Sequence, residues 1–131
     1  MPAFDHFGEY LKSLRQKEGL TQNELAKTIG KSGMYISNIE KGKNLSPPRQ
    51  DDLAALADRL GLGKNRRNKF FELAAADRST LPKAMVEYIF KRPSLRELIW
   101  AGYEKDFSNR QWQKLTVLMI SMGLMNNEEE S

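Results

Sequence analysis

The chain contains no cysteine, which excludes disulfides and thiolate metal sites and makes a reducing compartment a comfortable one. Its single histidine, His6, has no cluster of acids at metal-ligand spacing around it, so a surface or packing role is expected and neither metal nor cofactor is predicted. Long apolar runs are missing too. The most apolar stretch, Leu115 to Met125, is about half of the roughly 20 residues that a bilayer span needs. Met1 to Tyr10 carries Asp5 and Glu9 and no apolar h-region, so secretion is not expected and the chain is read as a soluble, cytoplasmic protein. No segment resembles a nucleophile elbow, a phosphate loop or a paired acidic motif, and no enzyme is expected. Clean period-two alternation bounded by turns is absent as well, which removes strands and predicts an all-α fold.

What is present fits a small domain with an appendage. A chain of 131 residues can bury one real core, or a small core and a helical addition of similar size. There are 21 Lys and Arg against 17 Asp and Glu, net +4, with a pI near 9.4. The distribution is uneven: residues 1–69 hold 13 basic and 8 acidic side chains, and residues 70–131 hold 8 and 9. The positive charge therefore belongs to the N-terminal half, where an anionic partner would be met.

Phe4, Phe7, Leu11 and Leu14 are spaced by 3, 4 and 3, one face of a first helix that ends near Gly19. Thr21 with Glu24 three residues on is a capping-box signature. It starts a second helix of about ten residues that turns Leu25, Ala26 and Ile29 inward and stops at Gly30. Ser32 is the expected N-cap of a third, with Ile36 and Ile39 facing the core and Gly42 ending it. After a loop over Lys43 to Pro48, Leu53, Leu56, Ala57 and Leu60 mark a fourth helix closed by Gly61. Phe70, Phe71 and Leu73 mark a fifth that begins after a basic turn, Lys64 to Lys69. Composition changes at Asp77 to Pro82, the expected boundary. Beyond it lie three helical segments, Pro82 to Lys91, Ser94 to Phe107 and Asn109 to about Met122, and an acidic tail over 126–131 that is expected to be disordered.

The run TQNELAKTIGKSGMYISNIEKGK, from Thr21 to Lys43, resembles the helix-turn-helix of the Xre family, to which the phage Cro and lambdoid repressors belong. The matching positions are Thr21, Gln22, Leu25, Ala26, Ile29, Gly30, Ser32, Ile36, Ser37, Ile39, Glu40 and Gly42, and the likeness extends from about Phe7 to Leu62. Each has a physical reason: Ala26 is small where two helices cross, Gly30 supplies the turn, the three isoleucines form the shared core, and Glu40 stays near basic or backbone donors. The loop KNLSPP after Gly42 departs from the pattern by being longer. Gly33 departs by standing where the family often places a longer base-facing side chain, so direct readout there is expected to be sparse.

The resemblance implies a five-helix lambda-repressor-like DNA-binding domain over residues 1–76, with a helical C-terminal region over 77–125. It places the third helix in the major groove of double-stranded DNA. Family positions that meet bases map onto Gln22, Gly33, Met34, Tyr35, Ser37 and Asn38. Asn38 can pair bidentately with adenine, and Met34 or Tyr35 can touch a thymine methyl. Positions that meet phosphates map onto Thr21, Lys31, Ser32, Lys41, Lys43, Asn44 and Arg49, contacts that fix register and confer salt dependence.

The C-terminal region carries more apolar side chains, among them Leu98, Trp100, Trp112, Leu115 and Met119, than three helices easily hide. Either they cap the N-terminal core or they form a homodimer interface. The dimer is favoured because two-fold symmetry lets two half-sites one turn apart be read together. A ligand pocket among the aromatics is a further option, with no polar cluster to name the ligand. The sequence thus reads as a sequence-specific transcriptional repressor acting as a dimer on a pseudo-palindromic operator. The other reading is an antitoxin, or a plasmid or mobile-element accessory protein, whose C-terminal helices bind a protein partner.

Overall fold

The computed structural model describes residues 6–43 and 48–126. Phe4, Asn44 and residues 127–131 of the expected tail lie outside the described residues. Eight helices and no strands are found among the described residues: α1 Phe7–Lys17, α2 Gln22–Lys27, α3 Gly33–Glu40, α4 Gln50–Arg59, α5 Lys64–Ala76, α6 Lys83–Phe90, α7 Pro93–Glu104 and α8 Asn109–Ser121. No helix of them is long and apolar enough to cross a membrane. The chain divides into two compact units that meet between Pro82 and Lys83.

In the first unit, Phe7, Leu11 and Leu14 do face inward from α1, joined by Tyr10. They meet Leu25 and Ala26 of α2, Ile36 and Ile39 of α3, Leu53, Leu56 and Ala57 of α4, and Phe70 and Ala74 of α5 in one core. Phe7 and Phe70 pack edge to face with ring centroids 4.9 Å apart, so the first and last helices of the unit close on each other. Each large side chain buried this way contributes roughly 1.5 to 3 kcal/mol. α2 is shorter than the spacing implies: it ends at Lys27, and Thr28 to Gly30 form a turn. Gly30 sits at φ +65°, a left-handed conformation that costs other residues energy and costs glycine little.

The basic stretch from Lys64 corrects the sequence reading, since it is not a turn but the opening of α5. Gly63 is the extended N-cap, and the Arg67 amide already donates to its carbonyl at 2.8 Å. The charged side chains leave the helix sideways: Arg67 pairs with Asp58 at 2.9 Å, and the Lys69 ammonium stands 4.7 Å from the centre of the Tyr10 ring. After α5, the chain over 77–82 remains attached to the first unit. The Ser79 amide donates to Ala76, and Arg78 Nη2 donates to the Pro48 carbonyl at 2.6 Å. The compact unit runs to Pro82, six residues past the end of α5.

The second unit is stitched by local contacts. Pro93 opens α7 at a first-turn position, where its missing N–H costs no helical hydrogen bond. Arg96 donates to the carbonyls of Ile89 and Phe90, satisfying the end of α6. A capping box of Ser108 and Gln111 starts α8, and Trp112 packs edge to face on Phe107 at 5.6 Å. Among its described residues only Gly102 is fully buried.

Gly8 marks a close crossing of α1 over α3. A Cβ there would run into the carbonyl oxygen of Ile39 and stand 2.9 Å from that of Glu40. Both obstacles are backbone and cannot swing aside. Gly8→Ala gains about 1 kcal/mol of helix propensity but forces α1 away from α3, an overpacking cost near the top of the usual range of about 1 to 3 kcal/mol. A net loss of about 2 kcal/mol is expected in a chemical denaturation curve; a variant as stable as the parent would refute the close crossing.

Candidate nucleic-acid interface

Two short helices and the turn between them carry the candidate interface, and each start is set by side-chain chemistry. At α2 the Glu24 amide donates to Thr21 Oγ1 and the Thr21 amide donates to Glu24 Oε1, both at 3.0 Å. At α3 the Tyr35 amide donates to Ser32 Oγ at 3.3 Å. These bonds satisfy donors that a helix start otherwise leaves orphaned. The chain folds back between the two starts, and α3 lies across α2 with Ile36 and Ile39 beneath it and Met34 turned outward.

The opposite end of α3 is held by Glu40. Its carboxylate accepts from Arg15 Nε at 2.7 Å, from Arg15 Nη2 at 3.1 Å and from Gln22 Nε2 at 3.0 Å. The third nitrogen of Arg15 donates to the Leu20 carbonyl at 2.8 Å. The ion pair is almost closed to solvent, with side-chain exposures of 10% for Arg15 and 3% for Glu40. The expectation that Glu40 stays near basic donors is met, and the donor is one that the sequence did not single out. Arg15 directly follows Leu14 on an otherwise ordinary amphipathic helix, and that adjacency to the buried stripe was the available signal.

The outward surface between α2 and α3 is a shallow cleft lined by Thr21, Gln22, Asn23, Gly33, Met34 and Ser37. Of the residues expected to meet bases, Gln22, Gly33, Met34 and Ser37 come together here. Met34 is 67% exposed, high for a methionine in a small helical domain. Asn38 is half-buried on the next turn of α3. Tyr35 is turned elsewhere: its ring is half-buried against the core, with the Lys31 ammonium 5.4 Å from the ring centre. Burial raises the Tyr35 hydroxyl pKa, the Asp52 carboxylate raises it further and Arg78 opposes them. Gln22 has one amide donor committed to Glu40. Asn23, absent from the expected set, is exposed in the middle of the cleft.

Of the residues expected at phosphates, Thr21 lines this cleft. Thr21, Lys31, Ser32, Lys41, Lys43 and Arg49 are all exposed, while Asn44 lies outside the described residues. Lys41 also borders a second hollow, with His6, Gly8, Pro48 and Arg78, away from the α2–α3 cleft. No group of His, Asp and Glu among the described residues could hold a metal.

Residues 6–70 match the family model described as a helix-turn-helix domain. The first unit is a helix-turn-helix DNA-binding domain, in accord with the Xre-type resemblance. Comparison with curated proteins and with solved structures gives no match. In the helix-turn-helix domain α2 is the supporting helix and α3 the one whose outward face is presented.

Two outcomes follow from this geometry. Glu40→Gln leaves the enclosed Arg15 charge without its partner and is expected to cost about 3 kcal/mol of stability; an unaltered melting curve would contradict the clamp. Glu24 titrates below its ordinary value of 4.5, because the Thr21 amide and then the Thr21 hydroxyl favour its charged form. A folded value below the unfolded one contributes stability that is complete above the unfolded value and fades as pH falls through the folded one. Stability of the parent should therefore fall more steeply below about pH 4.5 than that of Glu24→Gln; parallel acid limbs would refute the capping box.

Proposed function

We propose that the protein is a sequence-specific transcriptional regulator, a cytoplasmic repressor that occupies a pseudo-palindromic operator as a dimer. The observation that carries this reading is the exposed cleft of the helix-turn-helix domain. Its apolar and amide side chains face outward at the first turn of α3, and Lys31, Lys41, Lys43 and Arg49 are exposed on the same domain. That arrangement suits a helix entering the major groove. Amides and Met34 offer hydrogen bonds and thymine-methyl contact to base edges, and the cations neutralise flanking phosphates. Base contacts are assigned to Gln22, Met34, Ser37 and Asn38, with Gly33 completing the surface between them without a side chain of its own. Tyr35, half-buried against the core, contributes from the edge of the surface. Phosphate contacts are assigned to Thr21, Lys31, Ser32, Lys41, Lys43, Asn44 and Arg49.

The dimer reading rests on the second unit. Leu98 and Trp100 are exposed on α7, with Tyr103 edge to face against Trp100 at 5.7 Å. Leu115 and Met119 are half-buried on α8, and Trp112 is held within the unit against Phe107. The same apolar excess supports the alternative of an antitoxin or mobile-element protein with a protein partner on these helices. Mass measurement by light scattering separates them, since a dimer of the purified chain favours the first and a monomer the second.

Selection of bound sites from a random duplex pool tests the main reading, and enrichment of one motif with two-fold symmetry is expected. Affinity should fall with salt at a slope near 0.9 per neutralised phosphate. Lys31→Ala should weaken binding to all sequences about equally and reduce that slope by about 1. Selection that enriches no motif, or affinity indifferent to salt, would overturn the proposal.

A further inference from the structure

Gly33 leaves a gap in the reading surface at the first turn of α3, and the structure fills it from the other helix. A Cβ built on Gly33 would collide with Asn23 Oδ1, lie 2.9 Å from its Cγ and stand 3.5 Å from its Cα. The carboxamide of Asn23 therefore rests over the place where the side chain of residue 33 would begin. Asn23 is exposed and lines the cleft beside Met34 and Ser37, and its carboxamide makes no hydrogen bond among the described residues. Its neighbour Gln22 points an amide inward to Glu40 at 3.0 Å. Of the two amides on α2, one supports the scaffold and the other is left outward.

The geometry points to Asn23 as a base-reading residue of the cleft, and to Gly33 as the residue whose missing side chain holds it in position. This rests on the groove-binding reading given above. A carboxamide presents an acceptor and a donor side by side, the pattern complementary to N6 and N7 of adenine in the major groove. Recognition is transferred from α3 to α2 at this one position: the glycine contributes by being small, and the asparagine by occupying the space. Because the obstructing atom is the far end of a flexible side chain, a methyl at residue 33 displaces the amide without unfolding the domain.

Site selection with the full chain tests this, using the parent, Asn23→Ala, Gly33→Ala, the double variant and Asn23→Asp. The parent is expected to select adenine at one position of each half-site. Asn23→Ala should lose that preference by a factor on the order of tenfold or more, with the other positions and the affinity for random duplex retained. Gly33→Ala should lose the preference at the same position, and the double variant should lose no more than either single one. Asn23→Asp, an acceptor only, should turn the preference towards cytosine. An unchanged motif in Asn23→Ala, or an equal loss at every position, would overturn the assignment and leave Asn23 a packing residue. If the parent selects no motif at all, the groove-binding reading itself has failed, and the two failures are thus told apart.

Discussion

The helix-turn-helix domain depends on one carboxylate. Glu40 gathers three donors from α1 and α2, and the arginine that supplies two of them is tied in turn to the connection between those helices. Enclosing an ion pair yields little net stability, because desolvation offsets most of the attraction. What the arrangement does fix is relative position: only one placement of α3 satisfies all the partners. Apolar contacts beneath α3 tolerate sliding by comparison, since isoleucine surfaces have no directional demand. The core holds α3 down, and the carboxylate determines where along α2 it lies.

Much of this was legible in the sequence, and the reasons are local. Thr21 with Glu24, Ser32, and the glycines after α1 and α3 are short-range signals whose chemistry is complete within a few residues, so helix starts and stops were readable. The apolar spacing in α1 and α4 gave the buried faces correctly. The opening of α5 was not legible, because four cations in six residues look like a solvated turn until Gly63 is seen to cap a helix. Arg15 was hidden for the opposite reason. A single cation beside an apolar stripe reads as solvent-facing, and its burial is decided by a partner 25 positions away. Asn23 was hidden because its place is defined by an atom that Gly33 does not have.

The two units are built on different terms. The first has a core with a ring pair at its centre and several side chains wholly removed from solvent. The second is held by helix caps, a proline at the start of α7, an arginine over the end of α6 and one tryptophan against a phenylalanine. Such contacts define helices well and bury little area. The apolar side chains exposed on α6, α7 and α8 are those on which the proposed dimer or protein partner would rest.

The notch at Gly8 has a mechanical consequence. α1 rests directly on the carbonyls at the far end of α3, and Glu40 ties the same end to α1 and α2. A helix so seated behaves as a rigid strut: load applied along its exposed flank passes into the body of the domain instead of bending it. Any mismatch between this strut and the surface that it meets must then be absorbed by the other molecule, or by the rotation of side chains such as Met34.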